Sequence, residues 1–183
     1  MQSGQAYTRH RNFKERQGCG SRAQSFIHAI YAENADAAEL LALCDTNHAR
    51  MEYHNSEIVC RYHAQALPAY DASEFDRMLL THRPDCVLVV SMDRTHHQYI
   101  CRAMELGFDV ITEKPMTIDT EKCRMILNAV RSSGKELRVA FNYRYIPRNT
   151  RVKELLQSGI LGTVRTVHFE WLLDTSHGAD YFR

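Results

Sequence analysis

The sequence has no long apolar run. Its longest strongly apolar stretch, Cys86 to Val90, falls far short of the about 20 residues that a membrane-spanning helix requires. No apolar segment follows Met1, so membrane and secretory readings are both set aside. Excess charge of one sign is equally scarce: 23 Lys and Arg oppose 22 Asp and Glu, for a formal charge of +1. Without a net field to recruit it, nucleic acid is disfavoured as a partner. Cys-x-x-Cys pairs are missing, and Cys19, Cys44, Cys60, Cys86, Cys101 and Cys123 lie far apart, so we read them as reduced thiols of a cytoplasmic protein. Among ten histidines only His96 and His97 are adjacent, and His-x-x-x-His and Cys-His spacings are absent. No metal site is expected.

What the chain does have is ordinary globular chemistry: 183 residues, 44% hydrophobic and 25% charged. That length suits one domain and part of a second, and buries roughly 70% of the unfolded surface without a staple. From Gly18 onward, short apolar runs alternate with amphipathic stretches. The runs are Glu39 to Cys44, Asp85 to Val90, Asp109 to Thr112 and Leu137 to Phe141. Between them, Phe26, Ile27 and Ile30 mark one helix; Phe75, Met78 and Leu79 another; Tyr99 to Leu106 a third; and Thr120 to Ser133 a fourth. Repeated βαβ order with continuous apolar strands predicts an α/β fold, a doubly wound parallel sheet of Rossmann type.

Beyond Pro147 the pattern changes. Val152, Leu155 and Leu156 predict a short helix closed by Gly159, and Val167, Phe169 and Trp171 then alternate with His168 and Glu170. Period-two alternation suits an antiparallel sheet with one wet face. We therefore divide the chain into an atypical N-terminus (1–17), a dinucleotide-binding domain (18–146) and the first helix and strand of an incomplete α+β substrate domain (147–183). An unpaired strand at 164–173 would expose an apolar edge, inviting association with a second copy or a partner chain.

Gly18-Cys19-Gly20-Ser21-Arg22-Ala23 fits Gly-x-Gly-x-x-Gly/Ala, whose glycines allow a tight turn and close approach to a diphosphate at a helix N-terminus. Alone, it also reads as a plain turn before a helix. Asp45 follows near the offset of about 20 residues at which a carboxylate accepts from the adenosine ribose hydroxyls. By itself it reads equally as a helix N-cap. A carboxylate there repels a 2′-phosphate, which favours NAD, with NADP the alternative that Arg22 would assist. The preceding strand does not fit: Arg11 to Gln17 holds Phe13 as its one apolar residue. Burying unpaired charges is costly, so residues 1–17 are expected to be poorly ordered and to form no well-packed central strand. Their Arg9, Arg11, Lys14 and Arg16 lack the apolar face of a targeting segment.

Glu113-Lys114-Pro115 ends the Asp109 run, at the strand end where open α/β sheets bind ligands. A lysine there would stabilise alkoxide charge or exchange a proton with a substrate hydroxyl; on local grounds the pair is also an exposed Glu-Lys turn. These elements, with Asp-Arg-Thr-His-His (93–97), Asp-Val-Ile-Thr-Glu-Lys-Pro-Met (109–116) and Asn-Tyr-Arg-Tyr (142–145), resemble the N-terminal half of the Gfo/Idh/MocA oxidoreductases over about 18–183. Glu-Lys-Pro is the most specific of them.

The resemblance implies hydride transfer between NAD or NADP and a sugar-like or small alcohol substrate. It implies Lys114 as the catalytic lysine, Pro115 as a cis proline, and Gly18, Gly20, Ser21, Arg22, Asp45, His97, Glu113, Lys114, Asn142 and Arg144 as cofactor contacts. His97 matches the histidine of the family's Pro-Asn-x-x-His loop, although Asp93-Arg94 stand in for Pro-Asn; it is otherwise a first-turn helix histidine. Asn142 and Arg144 are otherwise polar residues leaving a sheet. The resemblance places the family's catalytic-histidine Asp-x-x-x-His element in a C-terminal sheet domain that this chain does not contain, so the reading is of a dehydrogenase impaired by truncation. The alternative is a non-catalytic nucleotide-binding or interaction module.

Overall fold

Short strands buried on both faces need helices on both sides, and the chain supplies them in alternation. The computed structural model describes residues 15–17, 19 and 21–172, the side chains of 15–17 and Ser21 apart. Its first compact unit runs to Phe141. In chain order it contains β1 (Glu15–Gln17), α1 (Ser21–His28, continued by a π-helical turn Ala29–Glu33), β2 (Ala42–Asp45), α2 (His48–Tyr62), β3 (Ala69–Asp71) and α3 (Phe75–His82). Then follow β4 (Cys86–Val89), α4 (His96–Glu105), β5 (Asp109–Glu113), α5 (Thr120–Ser133) and β6 (Leu137–Ala140).

The six strands form one parallel sheet in the order β3-β2-β1-β4-β5-β6. That is the doubly wound order, whose direction of strand addition reverses between β1 and β4. Alternate residues of a strand face opposite sides, and the two cores divide accordingly. Leu43 and Leu88 pack with Ile27 of α1 and Met51 and Ile58 of α2. Ala42, Cys44, Val87 and Val89 pack with Met78 of α3, Met104 of α4 and Ile126 of α5. The chain leaves β1 toward one face and β4 toward the other, which opens a crevice at their carboxyl ends.

Several expectations need correction. Glu15–Gln17 does form a central strand, Arg16 lying in register between Leu43 and Leu88. The ladder is made by backbone N–H and C=O groups, which charged side chains leave intact; residues 1–14 lie outside the described residues. The run expected from Glu39 begins its ladder only at Ala42, and the one expected to reach Phe141 ends at Ala140. β3 and α2 escaped the pattern. β3 has three residues and follows Pro68. The buried stripe of α2 is Met51, His54 and Ile58, so a histidine interrupts its apolar period.

The helices end where local chemistry stops them. Asn47 caps α2, its side chain accepting from Arg50 N at 3.3 Å, and α5 closes at Gly134 with φ of +67°, a left-handed conformation that glycine adopts without strain. Asp119 caps α5, accepting from Lys122 N at 2.9 Å and Lys122 Nζ at 2.7 Å. Those Lys122 hydrogen bonds hold its carboxyl below the usual range. A depressed folded-state value means stability present above the unfolded-state value and lost as pH falls through the folded one. Asp119→Asn keeps the capping oxygen without the charge. It is expected to flatten that acid dependence, read from pH-resolved amide exchange at Lys122.

The second unit begins at Asn142, ahead of Pro147. A 3-10 turn (Asn142–Tyr145) precedes α6 (Pro147–Gln157), in which Asn149 Nδ2 donates to Tyr143 O at 2.7 Å. α6 buries no residue, and Val152 and Leu156 of its expected stripe are exposed. Residues 163–172 have no ladder, contrary to the strand expected at 164–173; Leu173 lies outside the described residues. A β conformation is stabilised by a neighbouring strand, and alternation in sequence does not supply one.

Candidate cofactor and active site

Gly18 and Gly20 lie outside the described residues, but Cys19 between them is buried and held from two sides. Its N–H donates to Asp45 Oδ2 at the end of β2. Its carbonyl accepts from His54 Nε2 of α2 at 3.0 Å, which places the proton on that nitrogen because a carbonyl only accepts. Asp45 Oδ1 accepts from Asn47 N at 2.8 Å. Asp45 is therefore not the cap of α2; it ties the turn after β1 to the end of β2. A carboxylate has about four acceptor positions, so Asp45 retains capacity for further donors. His54 was not singled out from the sequence. The signal was there, a histidine at a buried-stripe position with no metal-ligand spacing.

At the end of β5, Glu113 is 5% exposed and uses both carboxylate oxygens. Oε1 accepts from Arg22 Nε at 2.5 Å and Oε2 from Lys114 N at 2.7 Å. Arg22, in the first turn of α1, thus reaches Glu113 across the crevice mouth. The contact it makes is with that carboxylate, whereas the sequence reading offered it to a 2′-phosphate. Lys114 presents an exposed side chain, and the Lys114–Pro115 peptide is cis.

His96 and His97 open α4 and are both buried, but they face different partners. His96 Nδ1 lies 2.9 Å from Pro115 O, and Nε2 lies 3.0 Å from Ser91 O. His97 Nδ1 is buried without a hydrogen-bond partner among the described residues. The histidine that joins the two loops is His96, whereas the sequence directed attention to His97. Ser21 begins α1. Asn142 and Arg144 belong to the second unit, exposed in its 3-10 turn.

No disulfide joins any of the six cysteines. Among the described residues no group of three or more His, Cys, Asp or Glu is arranged to hold a metal ion, and no helix is long and apolar enough to cross a membrane.

A parallel sheet with this strand order, with acidic side chains at the ends of β2 and β5 and a lysine after β5, defines a dinucleotide-binding domain of the Rossmann class. Residues 17–141 match the family described as an oxidoreductase family with a NAD-binding Rossmann fold. The chain belongs to the Gfo/Idh/MocA oxidoreductases, and its first unit is their NAD-binding domain. It is 35% identical over 170 residues to the putative oxidoreductase YteT of Bacillus subtilis, which covers 91% of this chain and 38% of that protein. It is 31% identical over 143 residues to D-glucoside 3-dehydrogenase of Escherichia coli, covering 75% of this chain and 37% of that one. In structure it resembles the WlbA dehydrogenase from Chromobacterium violaceum in complex with NADH and UDP-GlcNAcA, with a TM-score of 0.71 and 28% identity over 85% of this chain and 42% of that chain. The chain thus spans about two-fifths of the length of these relatives.

Proposed function

We propose that this chain forms the nucleotide-binding part of an NAD-dependent dehydrogenase that moves a hydride between nicotinamide and a sugar-like or small alcohol substrate. The observation that carries the reading is the convergence of Asp45, Glu113 and Lys114 at the carboxyl edge of the sheet, on either side of the reversal between β1 and β4. The residues fit a dinucleotide. Asp45 has acceptor capacity beyond its two backbone donors, and the N-terminus of α1 adds a positive dipole end suited to a diphosphate.

NAD, when bound, supplies the hydride acceptor. Asp45 would take the ribose hydroxyls, and Gly18, Gly20 and Ser21 would cradle the diphosphate on backbone N–H groups. Arg22 and Glu113 would hold the end of β5 against the first turn of α1. Lys114 would grip the substrate oxygen and stabilise charge developing there, or exchange a proton with it. His97 would complete the contacts to cofactor or substrate; Asn142 and Arg144, in the second unit, are candidates for cofactor contact from their motif alone. The names of the relatives, a D-glucoside dehydrogenase and a dehydrogenase with a nucleotide sugar, support a sugar-like alcohol. The widely spaced cysteines, without a Cys-x-x-Cys pair, accord with a cytoplasmic setting.

Calorimetric titration of the chain with NADH and NADPH tests this. NADH is expected to bind more tightly than NADPH, and Asp45→Asn to weaken NADH about tenfold while narrowing that preference, since a hydrogen bond to a charged group contributes about 1.5–3 kcal/mol. No heat with either nucleotide, from folded protein, would sink the reading.

A second reading, of an interaction module, is favoured by one feature. Val167, Phe169 and Leu172 are 79%, 75% and 87% exposed, a row of apolar side chains suited to a second copy or a partner strand.

A further inference from the structure

Arg22 stands in the first turn of α1, which follows β1, whereas Glu113 ends β5, and β4 lies between those two strands. Neighbouring strands are about 4.8 Å apart, so β1 and β5 are separated by roughly 10 Å. The pair closes that distance across the carboxyl end of β4. It therefore passes over the point where the direction of strand addition reverses, at which doubly wound sheets receive their ligands.

A guanidinium carries five N–H donors. Glu113 Oε1 takes the one on Arg22 Nε at 2.5 Å, and the four on the terminal nitrogens have no hydrogen-bond partner among the described residues. Glu113 turns its second oxygen to Lys114 N at 2.7 Å, so the ion pair is single rather than bidentate. Exposure divides in the same way: the Glu113 side chain is 6% exposed and that of Arg22 is 41%. A buried carboxylate thus grips one edge of the guanidinium and leaves the other to solvent at the crevice mouth. Charge is divided too. Arg22 and Lys114 together oppose one carboxylate at the β5 end of the edge, whereas Asp45 makes the β2 end anionic.

We infer that Glu113 orients Arg22 as an anion-binding side chain, and that the anion is the diphosphate of the dinucleotide. The inference rests on the cofactor reading and adds to it a side-chain ligand for the phosphates. The planar fork of terminal N–H groups matches phosphate oxygens, and a guanidinium already fixed through Nε loses less freedom in meeting them. Arg22 adjoins Ser21, so its fork starts from the same helix turn that presents backbone N–H groups to a diphosphate. Glu113 acts through Arg22, as a positioning residue. An acidic group on the substrate has the same chemistry as a phosphate, and the experiment separates the two.

The full chain is titrated calorimetrically with NADH and with ADP-ribose, which carries the diphosphate without the nicotinamide. Arg22→Met is expected to weaken both about tenfold and by the same factor, the size of a charge-assisted hydrogen bond at a partly exposed site. Glu113→Gln should weaken both about threefold in the wild-type background and neither any further in the Arg22→Met background. A loss confined to NADH would place Arg22 on the nicotinamide and overturn the inference. Unchanged affinity for both nucleotides, the result of an anion that belongs to the substrate, would overturn it as well. An equal loss from Glu113→Gln with and without Arg22 would overturn the positioning role. Should Arg22→Met fail to fold, the wild type decides: exchange of the Arg22 terminal amino protons, read by 15N-edited resonance, should slow when ADP-ribose is added, and unchanged exchange would overturn the assignment. No heat from folded wild type with either nucleotide would remove the cofactor reading and this inference with it; wild-type binding that Arg22→Met leaves intact would remove this inference alone.

Discussion

Replacing Arg22 with methionine is expected to destabilise the first unit by about 2–3 kcal/mol, read as a fall in the urea midpoint. Glu113 is buried and would lose its guanidinium partner while keeping Lys114 N as a donor. The figure sits below the about 3–5 kcal/mol of a fully buried broken pair because the Arg22 side chain is 41% exposed and lies at the crevice mouth. Glu113→Gln should cost less, about 1 kcal/mol, since the freed guanidinium is rehydrated and the amide oxygen still accepts one donor. The double variant Arg22→Met/Glu113→Gln should therefore be more stable than the sum of the singles implies, by about 1 kcal/mol. Strict additivity in the denaturation series would mean that the two groups do not act as a pair. Because the same carboxylate holds Lys114 N, Arg22→Met should also quicken amide exchange at Lys114.

For His54→Leu the larger effect is expected on binding: NADH affinity should fall about tenfold, the equivalent of one buried hydrogen bond. His54 Nε2 is the donor that holds the Cys19 carbonyl, while Asp45 holds the Cys19 amide. Leucine suits the Met51 and Ile58 stripe of α2, so its burial offsets part of the lost bond and the fold should persist. The turn, however, loses the His54 anchor and must be ordered by the ligand, which lowers affinity. His54→Gln, which restores a donor, should recover part of the loss. Unchanged NADH affinity in His54→Leu would show that the turn holds its shape without that anchor.

Much of the fold was legible because parallel strands covered on both faces are short apolar runs, and surface helices carry one apolar stripe. β4 and β5, with α3, α4 and α5, follow those patterns directly. α2 was hidden because His54 occupies a core position in it, and β1 because its ladder is made by backbone atoms whatever the side chains. The 164–173 segment erred in the opposite sense, alternating as a strand does while its described residues have no ladder. At the site, the glycine motif, Asp45 and Glu113-Lys114-Pro115 were all visible as local chemistry. The contacts that organise them were not, since Arg22 and Glu113 are 91 positions apart, and Cys19 and His54 35 apart.

By itself the sequence determined the class of fold, the edge of the sheet where chemistry gathers and the residue types present there, because periodicity and turn chemistry act over a few residues. Only the tertiary structure decided that Arg22 answers Glu113, that His54 holds the first turn, and that His96 joins the two loops where attention had gone to His97. Adjacent positions on a helix point about 100° apart, so which of two neighbouring histidines meets a distant carbonyl depends on how α4 is seated against β5.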